Sequence, residues 1–219
     1  MFTELIDVLR CPNRHEESWL VATSTLSEAR HIVTGTLGCP VCRATFEIID
    51  GDVCFVDGRA TAPVSPPFDT DTAFRIAAQL HLVEAPQPIL LVGDWSRAVA
   101  PLRQIVPTVM VFVGDACTPI ARDERVSALR LPETGIPLAT GALRGIALDA
   151  EHCNASYLSE SARVLRARGR LLMPASVQPD AALWRILARD AEVVVAERLA
   201  VASAPVTLRR APATPLFES

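Results

Sequence analysis

Apolar and polar residues follow two different patterns along the chain, and the pattern changes near residue 60. The first part has short segments rich in Val, Ile and Thr, which predict strands over 18–24 and 31–37. Two further segments, 45–49 and 53–56, flank Asp50-Gly51-Asp52 and predict a hairpin, because Asp-Gly favours a tight turn. The first part is therefore expected to be a small β-rich unit.

The second part begins near residue 70 and alternates continuous apolar runs with segments of helical periodicity. A run such as 89–92, which ends at Gly93, is typical of a strand buried on both faces of a sheet. The predicted strands are 89–92, 109–113, 126–131, 145–148, 170–173, 193–196 and 206–208, and the predicted helices are 71–82, 98–105, 156–167 and 179–187. This alternation predicts an α/β fold with a doubly wound, Rossmann-like sheet.

The two parts are separated by a stretch rich in proline. Pro63, Pro66 and Pro67 lie close together, and such a stretch sustains neither a helix nor a central strand. We therefore predict a first domain over 1–58, a linker over 59–69 and an α/β domain over 70–219.

Composition narrows the classes of function. Half of the 219 residues are hydrophobic, but the longest apolar runs are about five residues, far short of the ~20 that a membrane-spanning helix needs. No secretory signal is visible at the N-terminus, so we expect a cytoplasmic protein. The net charge of −4 makes nucleic acid an unlikely partner, because non-specific binding depends on cations that neutralise phosphates.

Two cysteine-containing knuckles in the first part predict a metal site. Cys39 and Cys42 have the Cys-x2-Cys spacing that places two thiolates on one tetrahedral Zn²⁺, and Cys11 lies 28 residues before Cys39. His15 offers an imidazole next to Arg14, which stands where a second Cys-x2-Cys would have its thiol. Together, Cys11, His15, Cys39 and Cys42 would form a closed Cys3His site, the structural kind of zinc site.

Two other interpretations of these residues remain open. His15 could be a surface histidine in a chain that has lost its metal, with Arg14 as the mark of that loss. A lone Cys-x2-Cys could also be redox-active, although such a pair usually opens a helix, and this one lies between predicted strands.

The first 58 residues resemble the small zinc-ribbon activator subunits of tRNA and release-factor methyltransferases, and their short bacterial relatives. The matching stretches are 5–12, 38–42 and the hairpin 46–53. The Cys-Pro-x-Arg-His sequence is also similar to a knuckle of the 23S ribosomal RNA guanine-N1 methyltransferases, in which Cys and His both bind zinc. These resemblances imply that His15 is the fourth ligand and that the ribbon binds a protein partner.

The segment 89–174 resembles the class I S-adenosylmethionine-dependent methyltransferases. The strongest match is 161–173, which is similar to the family's helix and turn before its fifth strand, and 136–146 is similar to the stretch before the fourth. The resemblance implies that Gly93, Asp94, Trp95 and Asp115 lie where the family binds its cofactor. Asp115 matches the acid that binds the ribose hydroxyls.

Several other positions depart from the family's cofactor motif. Leu91 replaces the acid of the first strand, and Trp95 and Arg97 replace two glycines that give the cofactor room. Near Pro132, Glu133 is a candidate for the acid that binds adenine, and Leu143-Arg144 replaces the family's Phe-Asp. We expect the Trp95 indole to fill the cofactor pocket; the alternative is that it simply packs in the core against the first helix.

The residues that follow the predicted strand 145–148 have two interpretations. Asp149, Glu151 and His152 would lie at the carboxyl edge of the sheet, where such sheets bind ligands, and could be active-site groups. The interpretation we favour is that they form a solvated loop and a helix N-cap.

Together these observations predict a methyltransferase-like protein with an N-terminal zinc ribbon. We favour a degenerate, non-methylating relative that serves as a protein-binding scaffold or activator. The alternative is an active S-adenosylmethionine-dependent methyltransferase of unknown substrate. A third interpretation, a zinc protein that binds nucleic acid through Arg163, Arg166, Arg168 and Arg170, is weakened by the net charge.

Overall fold

The fold is a mixed sheet of eleven strands, seen in a computed structural model that describes residues 1–56, 65–82, 87–118, 120–121, 125–133 and 135–200. Two 3₁₀ helices cover Thr3–Val8 and Gly93–Ala98. The α-helices are α1 (Thr70–Gln79), α2 (Val99–Ile105) and α3 (Ala155–Val164). The strands are β1 (Val21–Glu28), β2 (His31–Gly38), β3 (Thr45–Ile49), β4 (Asp52–Cys54), β5 (Ile89–Val92), β6 (Val111–Gly114), β7 (Val126–Arg130), β8 (Leu143–Ala147), β9 (Leu165–Pro174), β10 (Trp184–Arg189) and β11 (Val193–Arg198).

The centre of the sheet is parallel, as the apolar runs predict. The strand order is β1-β2-β3-β4-β7-β6-β5-β8-β9-β11-β10, and β7, β6, β5, β8 and β9 are all parallel to one another. The strands at both ends of the order pair antiparallel. This mixed α/β sheet with a parallel core confirms the predicted α/β fold class with a doubly wound sheet.

Both faces of the parallel core are buried, which explains the continuous apolar sequence of its strands. In β5, Leu90 and Val92 belong to the core on one face, whereas Ile89 and Leu91 belong to the core on the other. Helices α1 and α2 cover the second face, and α3 and the first 3₁₀ helix cover the first. Helices on both sides of a parallel sheet give the doubly wound arrangement.

The N-terminal strands continue the same sheet. Strand β4 pairs in parallel with β7 through Val53 and Leu129, and Phe2 is packed in the same apolar core as Phe112. The predicted linker 59–69 falls largely outside the described residues. The division into two domains therefore stays a prediction, while the sheet and its core run across the two parts without a break.

The helix predicted over 179–187 is wrong. Residues Trp184–Arg189 form β10, which pairs antiparallel with β11 at the end of the sheet. Trp184 reaches the core, but Ile186 and Leu187 are exposed. The apolar residues have helical spacing, yet pairing with β11 supplies backbone hydrogen bonds that the local pattern does not reveal.

Other predicted elements differ mainly at their ends. The first helix of the α/β part begins one residue after Asp69, whose carboxylate accepts a hydrogen bond from the Thr72 N–H at 2.7 Å. The helix predicted over 156–167 ends at Val164, where β9 begins, and β9 therefore includes the predicted strand 170–173. The strand predicted over 206–208 lies outside the described residues.

We expect the shared core to dominate the stability of the whole chain. Phe112 is fully buried, so Phe112→Ala should lower the free energy of unfolding by about 3–5 kcal/mol, because it leaves a cavity. Phe74→Ala is the matched control, since 55% of Phe74 is exposed, and it should change stability by roughly 0.5 kcal/mol or less. Urea unfolding followed by circular dichroism measures both. Equal effects of the two substitutions would contradict this packing.

Candidate functional site

Two backbone turns hold the predicted metal ligands. The loop that carries Cys11 is closed at its base, where the Cys11 N–H donates to the Ser18 carbonyl at 3.0 Å. The second turn joins β2 to β3, and in it the Arg43 N–H donates to the Cys39 carbonyl at 3.0 Å. Backbone hydrogen bonds thus shape both knuckles.

The four predicted ligands come together in one cluster. One ligand atom from each of Cys11, His15, Cys39 and Cys42 lies within 4.8 Å of all the others. The Sγ atoms of Cys11 and Cys42 are 3.7 Å apart, and Cys39 Sγ is 3.4 Å from His15 Nε2. Tetrahedral Zn²⁺ with ordinary bond lengths separates two sulfur ligands by about 3.8 Å, and a sulfur and a nitrogen ligand by about 3.6 Å. The cluster therefore fits zinc in both composition and spacing.

Groups next to the ligands orient them further. His15 Nδ1 lies 2.6 Å from the Glu16 carbonyl oxygen. A carbonyl can only accept, so Nδ1 carries the proton and donates, and Nε2 is left free to bind a metal. The side-chain amide of Asn13 also donates to Cys42 Sγ, at 3.4 Å. Both contacts are typical of the partners that surround structural metal ligands.

The thiols of the cluster differ in acidity. The Ala44 N–H and the Asn13 amide lower the pKa of Cys42 to about 6, whereas burial raises the pKa of Cys11 to about 12. Cys42 is therefore readily a thiolate, and Cys11 has to release its proton when a metal binds. Metal binding at this cluster would accordingly release protons.

A second group of polar residues lies at the carboxyl edge of the parallel core. Gly93 follows β5 with a φ of +61°, in the left-handed region that favours glycine. A Cβ atom at this position would collide with the Asp149 carboxylate, which lies directly over the glycine. Asp149 Oδ2 accepts a hydrogen bond from the Asp94 N–H at 2.9 Å. The end of β8 is thereby tied to the end of β5.

His152 extends this connection to the neighbouring strands. Its Nδ1 lies 2.7 Å from Asp149 Oδ1, and its Nε2 lies 3.5 Å from Asp115 Oδ2. The other carboxylate oxygen of Asp115 accepts from the Leu131 N–H at 3.2 Å. The resulting network, Asp149–His152–Asp115, crosses the carboxyl ends of β8, β5, β6 and β7.

The charges of His152 and the two carboxylates stabilise one another. Hydrogen bonds to Asp115 and Asp149 raise the pKa of His152 to about 9, so the imidazole is a cation at neutral pH. Burial opposes the ionisation of Asp149, but the bonds from His152 and Asp94 outweigh it and lower its pKa. The His152 imidazolium thus bridges the carboxylates of Asp149 and Asp115 at the carboxyl edge of the sheet.

The structure separates the residues predicted to bind the cofactor. Asp115 and Glu133 line one cavity of 560 Å³ together with His152 and Tyr157. Trp95 does not lie with them. It packs against the core on the α1 face, with its ring 6.1 Å from that of Phe68. The expectation of a Trp95 plug therefore needs correction: the group that obstructs Gly93 is the Asp149 carboxylate.

Two residues that depart from the family motif, Leu91 and Arg144, have structural roles in this protein. Leu91 is fully buried in the core of the sheet. Arg144 lies at the opposite, amino edge, where its Nε donates to the His81 carbonyl at 2.6 Å near the end of α1. Neither residue could contact a ligand at the carboxyl edge.

Sequence reasoning left one feature open and missed another. It allowed Asp149 and His152 to be a solvated loop, whereas their side chains are only 17% and 20% exposed. The N-cap of α3 is Asn154, which accepts from the Tyr157 N–H at 3.0 Å and is not one of the three residues considered for that role. Tyr157 itself was missed. Its ring packs beside His152 and its hydroxyl donates to the Pro132 carbonyl at 3.1 Å.

Comparisons with known proteins support the fold alone. No protein-family model matches the sequence, and no curated protein matches it. Solved methyltransferase structures are similar over about half of the chain. The mycinamycin methyltransferase MycE, with Mg²⁺, S-adenosylhomocysteine and mycinamycin VI, is 8% identical, with a TM-score of 0.45 over 61% of this chain and 49% of its own.

Two further structures give the same picture. A geranyl diphosphate C-methyltransferase from Streptomyces coelicolor is 14% identical, with a TM-score of 0.40 over 57% of this chain and 56% of its own. The [4+2]-cyclase SpnF is 12% identical, with a TM-score of 0.40 over 59% of this chain and 65% of its own. The chain thus spans between about half and two thirds of these relatives.

We expect one zinc ion per chain in protein prepared without chelators. Cys39→Ser should weaken zinc binding by more than about 100-fold, since losing even a partner of a metal ligand costs 10–100-fold. Competition with a chromogenic chelator measures the affinity, and elemental analysis measures the stoichiometry. Cys54→Ser is the matched control, because Cys54 lies outside the cluster. A folded protein with no bound zinc, or an equal loss in both variants, would contradict the assignment.

We also expect His152 to make stability depend on pH. Its folded-state pKa of about 9 lies above the ordinary value of about 6.5, so its contribution is complete below about pH 6.5 and disappears as the pH rises through about 9. Wild-type protein should lose up to about 3 kcal/mol of unfolding free energy across this interval, and His152→Gln should not. Urea unfolding at a series of pH values measures the slope.

Tyr157→Phe provides the control for this measurement. It removes the hydrogen bond to Pro132 but keeps the ring beside His152, so it should lower stability equally at each pH. The same slope in wild type and His152→Gln would exclude the bridging role of the imidazolium.

Proposed function

We propose that this protein is a zinc-binding, non-methylating relative of the methyltransferases, which uses its fold as a scaffold and binds a partner protein through its N-terminal ribbon. The single observation that carries the proposal is the position of the Asp149 carboxylate over Gly93. Further support for the proposal comes from the carboxyl edge of the sheet, the metal cluster and the surface of the ribbon.

S-adenosylmethionine does not fit the residues at the carboxyl edge as they are arranged. A cofactor can approach the backbone of the turn after β5 closely only if no side chain covers that turn. At Gly93, the Asp149 carboxylate covers it. Asp115 already uses one carboxylate oxygen for the Leu131 N–H and the other for His152. A ribose would have to compete with both contacts. We therefore assign no step of chemistry to this cofactor.

Zinc, in contrast, would have a structural role. Cys11, His15, Cys39 and Cys42 would hold it, and the set leaves no ligand position for water or substrate. The ion would join the loop before β1 to the turn between β2 and β3, and so fix the knuckles against the sheet. Its contribution would be to folding and to the shape of the ribbon surface.

The surface of the ribbon supports a partner-binding role. Among the described residues, nine large hydrophobic side chains are exposed, and six of them lie within residues 1–56. These six are Trp19, Val21, Leu26, Val41, Ile49 and Val56. Concentration of exposed apolar side chains in one region favours an interaction surface.

None of the helices in the described part of the chain is long and apolar enough to cross a membrane.

The alternative function, an active methyltransferase, has one observation in its favour. The cavity lined by Asp115, Glu133 and Tyr157 is open, with a volume of 560 Å³, and two of these residues are the acids expected to bind ribose and adenine. A ligand that displaced His152 from Asp115 could occupy it. Direct measurement of cofactor binding separates the two functions.

Calorimetric titration of S-adenosylmethionine and S-adenosylhomocysteine into the full chain, with its metal, is the decisive experiment. We expect both dissociation constants to be weaker than about 1 mM, because binding would have to disrupt the bridged carboxylates. Asp149→Ala removes the obstruction at Gly93. Leu91 would still stand where the family has an acid, so this substitution should not bring cofactor binding into the micromolar range.

The matched comparison is Asp115→Asn. Micromolar binding by the wild type that is lost in Asp115→Asn would overturn the proposal and establish the methyltransferase alternative. Circular dichroism of each variant checks that the fold is intact.

A further inference from the structure

A cavity of 380 Å³ lies between α1 and the second 3₁₀ helix, and Asp149 is part of its lining. Its size falls within the usual range of small-molecule sites, about 300–1,000 Å³. Here it is called the Trp95 cavity. Six of its lining residues are apolar: Phe68, Ile76, Trp95, Leu148, Pro174 and Val193.

We propose that the Trp95 cavity binds a small amine, a molecule with an aliphatic or aromatic body and a protonated amino group. This inference goes beyond the proposed function and requires neither zinc nor S-adenosylmethionine. It rests on the apolar lining, the placement of an indole in the wall and the sign of the charges around the cavity.

The lining can accept the body of such a ligand. Ile76 and Leu148 are fully buried residues from helix α1 and the end of β8, and they contribute a fixed apolar surface. Trp95 and Phe68 form an edge-to-face pair, which holds the indole in place. The Arg97 guanidinium lies 4.3 Å from the Phe68 ring, so Phe68 already has a cationic partner. Trp95 has no such partner among the described residues, and an ammonium group could occupy that position.

The charges around the cavity favour a cation over an anion. Four carboxylates line it, those of Asp94, Asp149, Asp190 and Glu192, with Arg75 as the one cation of the lining. Outside the lining, Arg97 lies 3.2 Å from Asp94 and His152 balances Asp149. Even with these cations included, one negative charge is left over.

Glu192 and Asp190, both at the turn before β11, differ in their contacts. Asp190 accepts hydrogen bonds from the Glu192 and Val193 N–H groups, at 2.8 and 2.7 Å, which fixes the turn before β11. The Glu192 carboxylate itself has no hydrogen bond or ion pair with the described residues. It therefore remains available to a ligand at the mouth of the cavity.

Two other cavities of the described residues are less suited to this role. The cavity at Asp115 and His152 has a mostly polar lining, and the carboxylates of its network are already bridged. The cavity of 280 Å³ beside the metal cluster is lined by three arginines against two glutamates, so its lining has an excess positive charge that disfavours an amine. The Trp95 cavity alone among the three combines an extended apolar lining with excess negative charge.

The test uses tryptophan fluorescence and calorimetry on the full chain. The probes are 2-phenylethylamine, cyclohexylamine and butylamine, with phenylacetate as the anionic counterpart of the first. We expect saturable binding of at least one amine at millimolar concentration, and about tenfold weaker binding of phenylacetate, from loss of cation–π and carboxylate attraction. Trp95→Phe should abolish the change in fluorescence, because Trp19 and Trp184 lie outside the cavity.

Two charge-neutralising variants separate local attraction from general effects. Glu192→Gln should weaken amine binding by about two- to fivefold, as expected for an exposed carboxylate. Glu47→Gln, on the exposed side of β3, should leave it unchanged. Binding of phenylacetate as tight as that of 2-phenylethylamine, an undiminished fluorescence change in Trp95→Phe, or no saturable binding of any amine would each overturn the proposal.

Discussion

Burial of the parallel core on both faces is the constraint on which the rest of the structure depends. Strands β5, β6 and β8 have no solvent-exposed face, and their backbone groups pair with one another across the sheet. Within the parallel core, charged side chains are therefore found where the strands end, as with Arg144 at the amino edge and Asp149 at the carboxyl edge.

The carboxyl edge shows how strongly this constraint concentrates charge. Asp149, His152 and Asp115 follow strands that end side by side, so three ionisable groups meet within hydrogen-bond distance. A half-buried carboxylate is costly unless it is paired. Asp149 meets this cost with N–H donors from Asp94 and His152, and the same contacts cover the backbone of Gly93. The interactions that stabilise the edge are thus the ones that obstruct a ligand there.

The metal cluster depends on the sheet in a different way. The two knuckles are separated along the chain, and β1, β2 and their neighbours bring them together by pairing. Because β4 also pairs with β7, the ribbon shares its core with the α/β part. Zinc would therefore act on the folding of a structure that is already joined to the larger sheet. This differs from an isolated ribbon, which would depend on its metal for most of its stability.

The sequence alone determined the elements whose signal is local. The apolar runs of β5 and β6 identified buried strands, and the spacing of Cys11, His15, Cys39 and Cys42 identified a cluster that the fold brings together. It could not determine β10, because Trp184, Ile186 and Leu187 have helical spacing and only pairing with β11 makes them a strand.

Only the tertiary structure decided which group lies over Gly93. The local sequence suggests that a tryptophan in a loop without the family's glycines is the obstruction. Its direction, however, depends on how α1 packs. In the structure the Trp95 ring lies beside Phe68 on the α1 face. Asp149 is 56 residues beyond Gly93 in the chain and reaches it because β5 and β8 are neighbours in the sheet. Contacts of this kind follow from strand order, and strand order is set by the packing of the whole chain.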